Sequence, residues 1–514
     1  MVRSRAASRW FPILLATSLL GFAVPAAATG DTAPPTRHGA ARQDPGRPRA
    51  IVDPYRSEGR QPVAPGVAHD WGAFLTDSST GRQVAHIVEV DPDDPALAFE
   101  ASLSNDTATD LERLSLQAAR QSGEGHRVIA AINGDTWSGY DHVRLSPPKG
   151  LHVQDGELMA AGDLARPTFG VTADRRPMIG SVRLTAAVTV TTGAASGSSL
   201  AVRRVNQHRR LNDLVLYTSR FGGSTLTDAT GTEVVLGGVT LPLTPTGEHA
   251  AAVLEVRTAS GDTPIGPGQL VLSGVGSART FLDGLTAGDT LTLALTVTPG
   301  WEEVREAVGG RETLVRDGVV AEAQGDTWTE VHPRSAIGIT AEGRIVMAAV
   351  DGRQPGYSTG ARLDELADFM LARGALQAIN LDGGGSTGLL VRRPGDVEVS
   401  FANRGSDSQE RRISNGLLLV TSMPTGPATT VLLSPPSAEL YSGQTVDFEA
   451  RAHDAGWNGI ATSPDTLRWS MEGTGGTLAA DGRFTATVDG SATVIARVGD
   501  AAGSAPVTVI HDTT

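Results

Sequence analysis

Two strand ends carry the residues of this sequence that could do chemistry. At the first, the apolar run LQAINL leads into Asp382, Gly383, Gly384, Gly385, Ser386 and Thr387. Three glycines let a backbone approach a ligand closely, and successive N–H groups can form an anion-binding nest. A carboxylate beside them adds acid–base or nucleophilic capacity. At the second, VIAAI leads into Asn133, Gly134 and Asp135, with Trp137 and Tyr140 just beyond. Aromatic residues make up only 4% of the chain, so two beside an acid suggest a platform for a sugar face. A solvated turn around Asp382 and a Trp137 buried in the core are the plain alternatives.

The elements that must position these groups are legible around them. Leu363, Leu366, Ala367, Met370 and Leu371 recur at helical spacing, with Asp364 and Glu365 early, Arg373 late and Gly374 as a left-handed stop. LQAINL follows as a buried strand that brings Asn380 and Asp382 to its end. The stretch AIGIT-AEG-RIVMAAVDGR reads as a hairpin that ends on Asp351, Gly352 and Arg353. Residues 108–121 predict a helix with Leu111, Leu114 and Ala118 on one face, and Asp155-Gly156 predicts a hairpin turn. WEEVREAVGGRETLVRDGVV, residues 301–320, reads as a helix, a glycine pair and a strand. Residues 184–300 alternate Thr, Val and Leu between Gly and Pro, as an extensive β region does.

The LDGGGST turn, preceded by SAIGITAEGRIVMAAVDGR and followed by NRGSDSQERRISNGLLLV, resembles the phosphodiester glycosidase family. That family includes the lysosomal N-acetylglucosamine-1-phosphodiester α-N-acetylglucosaminidase. The resemblance spans roughly residues 75–421 and matches the middle weakly. It implies an α+β, mixed-sheet catalytic domain and hydrolysis of a glycosyl–phosphate bond. It also implies a shared active centre for the two strand ends, with Asp382, Asp135 and Ser386 as catalytic candidates. The substrate-binding candidates are Asn133, Gly134, Trp137, Asn380, Gly383, Gly384, Gly385, Thr387 and Asn403, with Arg210, Arg353, Arg411 and Arg412 available for a phosphate. Asn206 and Tyr217 match the family only loosely, and Glu410 with either following arginine offers a salt bridge that would pin the loop.

Composition sets the outer bounds. A chain of 514 residues is too long for one ordinary core. Its formal charge of -14, or -17 without Arg3, Arg5 and Arg9, argues against a broad nucleic-acid surface. MVRSRAASRW, FPILLATSLLGFAV and the small residues to Ala28 read as a signal peptide over 1–28 with no membrane anchor after it. Secretion, free or associated with a cell wall, is therefore expected, and the Ala/Arg/Gly bias suits a bacterium. Zero cysteines leaves packing or bound ions to supply stability. Residues 29–65 read as a disordered leader, 66–421 as the catalytic domain and 422–430 as a linker. Residues 431–514 alternate in short strands and resemble a bacterial Ig-like β-sandwich.

A glycosyl phosphodiester is anionic, and its leaving group is a phosphate monoester that needs little help from a general acid. Such a site must hold phosphate, activate water or supply a nucleophile, and stabilise a cationic sugar. Asp135 and Asp382 would also suit a hard cation, Ca²⁺ or Mg²⁺, whereas no His/Cys cluster supports zinc. Two other classes remain open: a metal-assisted phosphodiesterase that cleaves P–O, and a non-catalytic envelope polysaccharide-binding protein.

Overall fold

Strands buried on both faces read as continuous apolar runs, and here they do so because two sheets face each other while helices cover their backs. The computed structural model describes residues 50–79, 81–137, 145–322 and 326–510. The larger sheet of this core has eight strands. In spatial order they are Ile51–Ala64, Val67–Thr76, Arg82–Val90, Ile345–Val350, Arg334–Thr340, Ala375–Asn380, Glu312–Arg316 and Val319–Val320, every neighbouring pair antiparallel. The smaller sheet runs Ser400–Phe401, Leu389–Val391, Arg127–Asn133, Asn415–Thr421 and Leu97–Leu103.

Which side chains meet follows from strand alternation. Ile129, Ile132, Leu417 and Leu419 of the smaller sheet pack on Val88, Ile337, Met347 and Ile379 of the larger. The back of the larger sheet, with Ile87, Ala348 and Ala378, receives Leu363, Leu366, Phe369 and Met370 from the helix Leu363–Ala372. The back of the smaller sheet, with Ala131, Leu390 and Leu418, receives Leu114 and Ala118 from the helix Leu114–Gln121. The result is helix, sheet, sheet, helix. The helix Leu363–Ala372 stops where expected, because Gly374 takes φ +84°.

A third sheet, including Arg166–Thr172, Val304–Gly309 and His152–Gln154, is shared by two cores. Phe169 and Val308 join the central one, and Leu151, Val153 and Ala307 join another built on an eight-stranded sheet of residues 184–297. The β region expected there is thus present. Beyond it, ten short strands from Thr430 to Ile510 pack around Phe448, Phe484, Val494 and Val507, with Trp469 at the edge. This module is fastened to the core by the buried Arg392, which donates to Asn458 (3.1 Å) and to the Val63 carbonyl (3.3 Å).

Four expectations change. WEEVREAV is no helix: Val304–Gly309 is a strand between two neighbours, and Glu306 accepts the N–H groups of Ala101 and Asp155, both at 2.8 Å. Sheet pairing on both sides outweighs the local helical preference. The helix of residues 108–121 begins only at Leu114, since Glu112–Arg113 pairs with Arg412–Ile413. Of the leader, residues 51–64 form an edge strand of the main sheet, while the signal peptide lies outside the described residues. Within 422–430, Gly426 N–H bonds Asp454 (2.7 Å) and the Pro424 carbonyl accepts from Asn458 (3.3 Å), so this stretch is seated on the C-terminal module.

The buried Glu365 ties the helix start to the sheet edge. Its carboxylate accepts the N–H of Arg362 at 2.7 Å and of Ser78 at 3.2 Å. Glu365→Ala leaves two donors without a partner and should cost about 2–3 kcal/mol. Denaturant unfolding checks this; a loss below about 0.5 kcal/mol would show that the cap carries little weight.

Candidate active site

The two acid-bearing strands lie in facing sheets and end at the same edge of the core. Arg127–Asn133 comes from the smaller sheet and Ala375–Asn380 from the larger. Beyond their ends the chains are joined directly: Asp382 N–H donates to the Gly134 carbonyl at 2.9 Å. Asn133 adds the side-chain link. Its Nδ2 donates to the Asp382 carbonyl (2.7 Å), and its Oδ1 accepts from Ser335 Oγ (2.6 Å) and Gly388 N–H (3.1 Å). Asn133 is 1% exposed and both amide atoms are engaged, so it is a strut between strands and not the substrate contact expected. Gly134 is required by space: a Cβ there would lie 2.5 Å from Asn415 Oδ1 and 2.9 Å from Val308.

Asp382 sits partly exposed at the end of its strand, where burial pushes its pKa up to about 6. The Ser386 hydroxyl and Gly383 N–H pull it down, and the Asp135 charge pushes it up further. Ser386 Oγ faces this carboxylate without a hydrogen bond of ordinary geometry, and the buried Thr387 Oγ1 and Asn380 Oδ1 also have no protein partner. Asn380 Nδ2 is held by Glu312 at 2.7 Å.

The glycine turn works differently from a nest. The N–H groups of Gly384, Ser386 and Thr387 go to the carbonyls of Pro333 (2.9 Å), Gly383 (3.3 Å) and Gly384 (3.2 Å). What the missing side chains provide is room for two guanidinium groups. A Cβ on Gly384, whose φ is +65°, would lie 3.0 Å from Arg353 Nη2, and one on Gly385 would lie 2.1 Å from Arg411 Nη2. Gly383 is closed off too, with the Pro333 carbonyl 2.8 Å from any added Cβ. Arg411 is paired with Asp407 at 2.7 Å, so the expected bridge from Glu410 is absent. Glu410 instead holds the start of the helix Leu114–Gln121 through Ser115 N–H (2.8 Å) and Oγ (2.5 Å).

Asp135 is 1% exposed and fully engaged. Its carboxylate accepts from Gly150 N–H (2.5 Å) and Thr136 Oγ1 (3.2 Å) and pairs with Arg166 (3.2 Å), while Asn415 Oδ1 accepts its own N–H (2.9 Å). Burial raises its pKa and Arg166 opposes that shift. With these donors around it, Asp135 does not form a cation cage with Asp382. No three acidic or imidazole side chains converge as a metal site among the described residues.

The remaining candidates separate by position. Asn403 is buried behind the turn, accepting Leu389 N–H (2.8 Å) and donating to Asp351 (3.0 Å), so it braces the loop. Arg412 is exposed on its short strand, and Arg210 is exposed on a loop where its charge acts on Asp163; neither is seen against the glycine turn. Asn206 and Tyr217 are core residues. Trp137 is half-buried against the cluster of Leu114 and Leu418, which favours packing for it, and Tyr140 lies outside the described residues. Three basic neighbours escaped the sequence reading: Arg166, Lys149 and His332. Lys149 feels the charges of Asp135 and Asp382, and partial burial with the nearby Arg166 lowers its pKa. Of the three only Lys149, beside Gly150, carried a local turn signal; Arg166 and His332 each precede a proline.

A pocket of about 190 Å³ opens beside Gly385–Gly388, floored by Leu114, Phe401 and Ile413 and walled by Asp407, Gln409 and Arg411.

Comparison with known proteins agrees with this geometry over part of the chain. The phosphodiester glycosidase family matches residues 251–420, which hold the glycine turn, Arg353 and Arg411, so this segment is similar to that family. The SPbeta prophage-derived uncharacterized protein YomE of Bacillus subtilis is 35% identical over 109 residues, 21% of this chain and 16% of that protein's length. A hypothetical protein from Synechocystis shares the fold, with TM-score 0.57 and 19% identity over 73% of this chain and 69% of that one. A putative exported protein from Burkholderia pseudomallei K96243 has TM-score 0.54 and 25% identity over 66% and 74% of the two chains.

The raised pKa of Asp382 has a stability consequence. Between about pH 4 and 6 the folded state holds a proton that the unfolded chain has released, so this group's contribution becomes less favourable as pH rises through that window. Asp382→Asn removes that penalty. It should stabilise the protein by about 1–2 kcal/mol at pH 7.5 and by nothing at pH 4. Thermal unfolding at both pH values checks this, and a gain independent of pH would contradict it.

Proposed function

We propose that this protein is a secreted hydrolase that cleaves the glycosyl–phosphate bond of a sugar-1-phosphodiester. The observation that carries the reading is a single arrangement. A strand-end carboxylate with a pKa of about 6 sits beside a glycine turn on which two guanidinium groups lie. The kinship of residues 251–420 with phosphodiester glycosidases supports it.

In this reading Arg353 and Arg411 hold the phosphate, matching its charge and its planar oxygen pairs. Ser386 and Thr387, with unpartnered hydroxyls next to them, offer donors to the phosphate or to the sugar. Asp382, ionised above about pH 6, acts as base toward water or as nucleophile at the anomeric carbon. The phosphate monoester leaves without a strong general acid. Asp135 serves by position: through Gly150 N–H and Arg166 it holds the segment that carries Lys149 at the site.

Cell-wall or exopolysaccharide phosphodiesters, α-N-acetylglucosaminyl ones among them, are the fitting substrates for an exported bacterial protein. Export is supported by the N-terminal charge and apolar pattern and by the name of the Burkholderia structure. No helix among the described residues is long and apolar enough to cross a membrane. The C-terminal module, read as an Ig-like sandwich, would hold the enzyme near a surface.

Steady-state assays of sugar-1-phosphodiesters test the reading. Asp382→Asn should lower kcat by about 10²-fold or more. Wild-type kcat/KM should rise with pH through about 6 as Asp382 ionises. Arg353→Ala and Arg411→Ala should each raise KM about tenfold for phosphodiesters and leave neutral glycosides unaffected. Hydrolysis in isotopic water should label the sugar; label in the phosphate would establish P–O cleavage and overturn the glycosidase reading.

A further inference from the structure

The loop holding Arg353 is heavily restrained at its backbone. Arg353 has φ +58°, uncommon for a residue with a side chain, and its N–H donates to the Thr359 carbonyl at 2.9 Å. The guanidinium meets a second restraint. Arg353 Nη2 lies 3.3 Å from His332 Nδ1, and His332 Nε2 lies 3.2 Å from Glu330 Oε2. The next residue, Pro333, uses its carbonyl to hold Gly384 N–H at 2.9 Å. One short segment therefore touches both the glycine turn and the guanidinium resting on it.

We propose that His332 is a positioning residue that sets the Arg353 guanidinium over the glycine turn for the anionic part of the substrate, and that it lets go when protonated. This rests on the reading that the turn receives a phosphate. An arginine can only donate, so Nδ1 must accept, and the ring must carry its proton on Nε2. That tautomer also supplies the N–H that Glu330 accepts. One neutral form thus satisfies both neighbours. A second proton would go on Nδ1, which removes the acceptor and puts two cations face to face.

The charged groups facing the ring are Glu330 and Arg334 from its own segment and Arg353 from the loop opposite. Burial and the two arginines hold the imidazole below its usual pKa, and Glu330 opposes them. His332 is thus neutral at pH 7.5, and its grip on Arg353 is lost as the medium turns acidic.

The test is calorimetric binding of a sugar-1-(methyl phosphate) diester, whose single charge does not titrate between pH 5 and 7.5. The full chain carrying Asp382→Asn is used, so that neither turnover nor that acid interferes. In this background His332→Ala should weaken binding about tenfold at pH 7.5, and His332→Gln, which retains an acceptor and a donor, should stay within about threefold. The parent should lose affinity on going to pH 5 while the Gln variant does not. Should His332→Ala destabilise the fold, as melting would show, the pH profile of the Gln variant decides. Parent-like binding by a folded His332→Ala, or an unchanged pH dependence in His332→Gln, overturns the proposal. If Arg353→Ala also binds like the parent, or the parent binds nothing, the phosphate reading itself falls.

Discussion

The side chain of Asn133 holds the two halves of the site together. It stands at the end of a strand in one sheet and bonds to the other sheet at two places, the Asp382 carbonyl and Ser335, while also fixing Gly388 beyond the glycine turn. A buried amide that satisfies three partners is costly to remove, because each partner would be left without its bond. The position of Asp382, and through it of Gly383–Thr387, depends on this contact between residues 249 apart in the chain. Everything catalytic in the proposed reading is built outward from it.

Space is the second constraint. On each of the three glycines the place of a Cβ is taken by protein atoms: the Pro333 carbonyl, the Arg353 guanidinium, and Arg411 with Asp407. Their lack of Cβ atoms brings cationic side chains to within van der Waals distance of the backbone. Two guanidinium groups and two carboxylates, those of Asp382 and Asp407, meet at this turn in a protein of formal charge -14. In the proposed reading, short-range donors at the turn outweigh a net charge that salt screens at longer range.

The layered core keeps those ends in place. The apolar faces of both sheets are closed by each other and their backs by one helix each, so both strands that end at the site are anchored along their length. Asn133, Asp135 and Asn380 stay buried at the strand ends, and solvent reaches the chain just beyond them, at the partly exposed Asp382.

Local sequence determined what local physics governs. The two apolar runs, the helix Leu363–Ala372 with its glycine stop, the hairpin into Arg353 and the β-rich region after residue 184 were all legible, because periodicity and turn residues act over a few positions. That Asp135 and Asp382 stand at neighbouring strand ends was implied by the family resemblance and not by either motif alone. Tertiary structure decided the rest. WEEVREAV became a strand because sheets flank it on both sides, and residues 51–64 became one because an edge was open to them. Arg411 reached the turn while Arg412 and Arg210 did not, since Arg411 ends a loop where Asp407 holds it, Arg412 begins the strand Arg412–Ile413, and loop placement is a long-range matter. Asn133 proved a strut, and Arg166, Lys149 and His332 joined the site from segments with no motif of their own. The pKa of Asp382 belongs to the same class: burial and neighbours from distant segments set it, and no window of sequence contains them.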